Sequence, residues 1–106
     1  MGDISRPPGD GTGTLKKPKH RVKKPEMYKV VLMNDDFTPR EFVVEVLKTV
    51  FRKNRSDANR IMMTAHQGGK SIVGLYTYDI ATTKVSQARN KAKEAGFPLR
   101  FVVEGA

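Results

Sequence analysis

Few residues in this 106-residue chain have types and spacings suited to chemistry, and the first group is Asn34-Asp35-Asp36. Two adjacent carboxylates can share acid–base work, but hydrolysis also needs a matched partner and a cleft. The same residues are turn formers between an apolar run and a helix start, so a turn is the plainer reading. His66 stands four residues after Met62, which puts both on one face of a helix. A lone histidine there is ordinarily a hydrogen-bonding residue at the edge of a core. His20 lies in a separate basic stretch, so a zinc site is not expected. The chain has no cysteine, which excludes a disulfide framework, a thiolate metal site and a cysteine nucleophile. Ser56 and Ser71 lack the Gly-x-Ser-x-Gly elbow. Gly68-Gly69-Lys70-Ser71 lacks the upstream glycine of a phosphate loop and precedes a strand rather than a helix. With no nucleophile, metal set or matched acid–base pair, the chain reads as a binding domain, not an enzyme, and no cofactor is expected.

The elements that must position these residues follow from periodicity. Tyr28–Met33 is short, β-branched and largely apolar, which predicts a strand ended by Asn34–Phe37. Thr38-Pro39-Arg40-Glu41 predicts a helix start, with Thr38 as cap, Pro39 at the first position and Glu41 completing a capping box. Phe42, Val43, Val46, Leu47, Val50 and Phe51 form one stripe, and Asn54 suits a left-handed close. Ser56 is the expected cap of a second helix, carrying Ala58, Ile61, Met62 and Ala65 on one face and stopping at Gly68-Gly69. Ser71–Tyr76 predicts a second strand. A third helix opens at Thr77 or Asp79, with Ile80, Ala81, Val85, Ala88 and Ala92 on its narrow face, and stops at Gly96 and Pro98. Leu99–Glu104 alternates as a third strand. The order β-α-α-β-α-β predicts a single small α+β domain: three helices against a three-stranded, mostly antiparallel sheet. The other sheet face, with Lys29 and Arg100, is expected to stay wet.

Charge divides the chain differently. The formal net charge is +9, and residues 1–26 hold seven Lys+Arg against three Asp+Glu, with four of the six prolines. Such a segment buries too little apolar surface to offset the entropy of ordering, so residues 1–26 read as a disordered basic extension before a domain at 27–106. Basic balance raises nucleic acid as a partner, but the extension has no interleaved aromatics for base stacking. No segment is apolar enough for a bilayer span and no secretory signal is expected, which fits a cytoplasmic protein.

The block Tyr28-Lys29-Val30-Val31-Leu32-Met33-Asn34-Asp35-Asp36-Phe37-Thr38-Pro39, followed by Glu41-Phe42-Val43, resembles the ClpS family of protease adaptors. The likeness continues through Met62-x-x-x-His66, Gly69-Lys70, Thr77–Val85 and Pro98-Leu99, and so spans essentially residues 27–104. It implies an adaptor that binds the free N-terminus of a substrate beginning with Leu, Phe, Tyr or Trp. The substrate is then delivered to the N-domain of the ClpA unfoldase, which feeds the ClpP peptidase. By resemblance, Asn34, Asp35 and His66 hold the α-ammonium. Val43, Met62, Ala65 and Leu99 wall an apolar pocket with Asp36, Thr38 and Arg40 at its rim. Asp79 and Lys84 face the unfoldase. A monomer with no nucleic-acid or membrane partner is expected. Two positions depart from the family pattern: Arg40 stands where Met is typical, and Ala65 where a bulkier apolar residue is common. Both point to a divergent paralogue. Arg40 follows Asp36 by four residues and is expected to pair with it across the rim. The alternative reading is a small basic α+β domain associated with nucleic acid or the ribosome. Steep salt dependence of RNA binding would distinguish it from an adaptor.

Overall fold

The computed structural model describes residues 24–106. Most of the expected basic extension therefore lies outside the described residues. Strand β1 (Met27–Met33) is followed by α1 (Arg40–Thr49), α2 (Arg55–Gly68), β2 (Lys70–Thr77), α3 (Tyr78–Ala95) and β3 (Arg100–Gly105). This is the β-α-α-β-α-β order expected from periodicity. β1 is central, and both of its neighbours run antiparallel to it in the order β2-β1-β3.

The three helices lie on one face of the sheet because only that face supplies Val30 and Leu32 from β1 and Phe101 from β3 to the main core. Val43, Val46 and Leu47 of α1, Ala58 and Ile61 of α2, and Ala81, Val85, Ala88 and Ala92 of α3 meet them there. Removing these side chains from water stabilises the layer by roughly 25 cal/mol for each Å² buried. Phe51 packs on Phe101 with ring centroids 5.0 Å apart, and Phe42 meets Phe97 edge-on at 4.9 Å.

Register on the β1–β2 side carries a bulge. Val30 opposes Gly74 while Val31 opposes Ile72, so Val73 is the extra residue and turns into the core. The ring of Tyr76 lies over Gly74, where an added Cβ would meet it at 3.0–3.2 Å. The opposite sheet face is less polar than expected. Ile72 and Leu75 are exposed there beside Lys29 and Arg100, and Val31 is buried among its strand neighbours.

Helix ends depart from the expectations in three places, and one face residue does as well. α1 starts at Arg40 with Pro39 as N-cap and no side-chain cap bond, so the Thr38/Glu41 box does not form. The hydroxyl of Thr38 is instead committed to Asp35, at 2.7 Å. The left-handed residue between α1 and α2 is Arg52 (φ 59°), not Asn54. Asn54 is extended and caps α2 itself, accepting from the Asp57 N–H at 2.7 Å, which leaves Ser56 inside the first turn. Ile80 is half exposed because it falls beside the Ala81–Val85–Ala88–Ala92 stripe rather than on it. The glycine stops hold. Gly69 and Gly96 take positive φ (95° and 80°), and Phe97 N–H closes α3 on the Ala92 carbonyl at 2.9 Å. Among the described residues no helix is long and apolar enough to cross a membrane.

Candidate functional site

Where β1 ends, the chain must turn from the sheet to α1, and α2 ends beside the same point. One hydrogen bond fixes the two together: Asn34 N–H donates to the Gly69 carbonyl at 2.9 Å. The left-handed turn at Gly69 aims that carbonyl at the strand end, a geometry a side chain would strain. His66, in the last turn of α2, is thereby brought next to residues more than thirty positions earlier.

The result is a cavity of about 290 Å³. Its depth is apolar, made by Leu32, Val43, Met62, Ala65 and Leu99, all buried. Its mouth is polar, made by Asn34, Asp35, Asp36, Thr38, Arg40 and His66. Every residue assigned to the site from sequence lines this cavity except Asp79 and Lys84, which lie on α3. Leu32, Met33 and Pro39 also line it, and sequence reasoning missed them. Leu32 had a signal: it alternates with Val30 on the core face of a strand ending at Asn34.

Asp35 organises the mouth. Its Oδ1 accepts from Phe37 N–H at 2.7 Å and Thr38 N–H at 3.0 Å, and its Oδ2 accepts from the Thr38 hydroxyl at 2.7 Å. These neutral donors lock the loop without cancelling the negative charge, and a carboxylate has about four acceptor positions. Phe37 is left pointing to solvent, 82% exposed.

Arg40 does not pair with Asp36. Its Nη2 lies 2.8 Å from Nε2 of His66. A guanidinium only donates, so Nε2 is the acceptor, and the neutral ring carries its proton on Nδ1. Sequence spacing missed this contact because Asp36 precedes the helix, where the i,i+4 rule has no force.

On α3, Asp79 is exposed in the first turn. Lys84 is half-buried: its Nζ donates to the Val50 carbonyl at 2.9 Å and lies 5.9 Å from the Tyr76 ring centroid. Among the described residues no cluster of His, Cys, Asp or Glu could hold a metal ion.

An apolar hole with acceptors and one fixed carboxylate at its mouth suits a guest with an apolar body and a cationic head. The family model described as "ATP-dependent Clp protease adaptor protein ClpS" matches residues 23–102. The chain belongs to the ClpS family. It is similar to the ATP-dependent Clp protease adapter protein ClpS of Maricaulis maris, at 50% identity over 95 residues, 90% of this chain and 87% of that protein. The ClpS protein of Burkholderia mallei is 47% identical over 100 residues, covering 94% of this chain and 96% of that one. Among solved structures, that of Agrobacterium tumefaciens ClpS2 bound to L-phenylalaninamide matches with a TM-score of 0.76. The identity there is 52%, over 78% of this chain and 100% of that one. ClpS membership makes this chain a Clp protease adaptor and not itself an enzyme.

Proposed function

We propose that the cavity takes the free N-terminal residue of N-degron substrates, with Leu, Phe, Tyr or Trp as that residue. In this reading Asn34, Asp35 and His66 hold the α-ammonium, while Val43, Met62, Ala65 and Leu99 enclose the side chain beneath Asp36, Thr38 and Arg40. The chain then presents its cargo, as a cytoplasmic monomer without a cofactor, to the N-domain of ClpA for degradation by ClpAP. Asp79 and Lys84 belong to the docking surface.

The observation that carries this reading is the division of the cavity into a buried apolar depth and a polar mouth holding a fixed carboxylate. L-Phenylalaninamide, to which the ClpS2 relative is bound, has the same division: a benzyl group and a free amine. Burying a Leu or Phe side chain contributes roughly 1.5–3 kcal/mol. The ammonium supplies the rest through charge-assisted bonds.

The test is acetylation of the peptide amine, which removes the cation and leaves Asp35 without its counter-charge. Truncating one partner of such a pair costs about 2–5 kcal/mol. Leu- and Phe-led peptides should therefore bind at least about 30-fold more weakly when acetylated, as read by fluorescence anisotropy. Comparable affinity of blocked and free peptides would sink the reading.

A further inference from the structure

Nε2 of His66 offers one lone pair, and the Arg40 guanidinium holds it at 2.8 Å. An ammonium that engages the same nitrogen must take the place of that guanidinium, since both groups only donate. The two cations also repel at this separation. Arg40 is exposed, and besides the pocket it lines a neighbouring groove with Glu41, Val44, Glu45, Arg55 and Asn59. It therefore stands at the boundary between the pocket mouth and the neighbouring surface groove. Its own potential counter-ions are close in the fold: Asp36 on the pocket side, Glu41 and Glu45 on the groove side. Among the described residues none of these carboxylates forms an ion pair with it, and it turns to the imidazole instead.

We propose that Arg40 is a specificity-determining residue that reads the second residue of the substrate. It is released from His66 by the incoming ammonium and pairs with a carboxylate side chain immediately after the N-terminal residue. The preferred substrates then begin with a large apolar residue followed by Asp or Glu. A neutral second residue leaves the displaced guanidinium unpaired beside the ammonium, and binding is weaker. This rests on the amine-binding reading of the same cavity.

The experiment titrates the full chain, Arg40→Met and Arg40→Ala against three Phe-led peptides. One has Glu second, one has Gln second, and the third is the Glu peptide with its amine acetylated. The wild-type chain should favour Glu over Gln by roughly three- to fivefold at low salt, the reach of one exposed ion pair. That preference should shrink as salt rises. Both variants should bind Glu and Gln peptides alike, and the Gln peptide a few-fold more tightly than wild type does. Equal binding of the two peptides by wild type, or a Glu preference that survives both substitutions, overturns the proposal. Continued rejection of the acetylated peptide would then leave the amine-binding reading standing. Loss of discrimination against the acetylated peptide overturns that reading, and this one with it.

Discussion

Asp35 answers to two demands at once, and they can be separated. As an acceptor it holds Phe37 N–H, Thr38 N–H and the Thr38 hydroxyl, so the loop from β1 to α1 depends on it. As an anion it offers the charge that an ammonium would seek. Asp35→Asn keeps one carbonyl oxygen for the two backbone donors, and its amide can donate to the Thr38 hydroxyl, so only the charge is lost. Asp35→Ala removes both functions and leaves the buried Thr38 hydroxyl without its partner, at about 1–3 kcal/mol. The expected outcome is a melting temperature close to wild type for the Asn variant and a drop of several degrees for Ala. Affinity for a free-amine Phe peptide should fall at least about tenfold in both, as charge-assisted bonds exceed neutral ones. An Asn variant that binds like wild type would show that charge at Asp35 does not hold the ammonium. At this scale most of the residues that line the cavity were legible through the family resemblance, whereas pattern alone offered only a turn at Asn34-Asp35 and a core-edge histidine behind Met62. The Arg40–His66 contact was not, because it joins two helices twenty-six positions apart and depends on where α1 begins.

At the level of elements, Lys84 is a tie between helices before it is anything else. Its ammonium satisfies the Val50 carbonyl at the end of α1, where unpaired carbonyls gather negative charge. Lys84→Glu would place a carboxylate against that carbonyl, so loss of docking in that variant would not by itself locate the docking surface. Asp79 is the cleaner probe, being exposed in the first turn of α3 and outside the core. Asp79→Lys should weaken binding to the ClpA N-domain in a pull-down or titration, with peptide affinity within about twofold of wild type. The loss of a favourable helix-end charge should cost only about 0.3–1 kcal/mol of stability. Lys84→Met should lower the melting temperature by a few degrees, the loss of one charged hydrogen bond. Undiminished ClpA binding by Asp79→Lys would move the docking surface elsewhere. Glycine-terminated ends at Gly69 and Gly96 were readable because positive φ selects glycine. The caps were less so: Thr38 is competent for α1 but gives its hydroxyl to Asp35, and Asn54 and Ser56 are both competent for α2, where Asn54 takes the bond.

For the molecule as a whole, the periodicities fixed which faces are apolar, and three helices on one side of a short sheet followed. The bulge at Val73 and the apolar residues on the open sheet face have no comparable signature, because register is decided by pairing rather than by pattern. What lies ahead of β1 is of another kind: a basic, proline-broken stretch whose composition gives it little to pack with. Among the described residues the cavity is lined from Leu32 to Leu99, and these already supply an apolar depth and a polar mouth, so recognition of the first residue is expected to reside there. Handover to a protease is a separate task, and we assign that task to residues 1–20. Deleting residues 1–20 should therefore leave affinity for a Phe-led peptide within about twofold, because the proposed charge-assisted contacts come from Asn34, Asp35 and His66. Degradation of a Phe-led model substrate should slow in a reconstituted ClpAP reaction containing the truncated chain. The two readouts must be taken on the same preparation, with wild type alongside, so that a loss of delivery is not confused with a loss of folded protein. If the truncation abolished peptide binding instead, residues 1–20 would have to reach the mouth at Asn34, Asp35 and His66 and form part of the site.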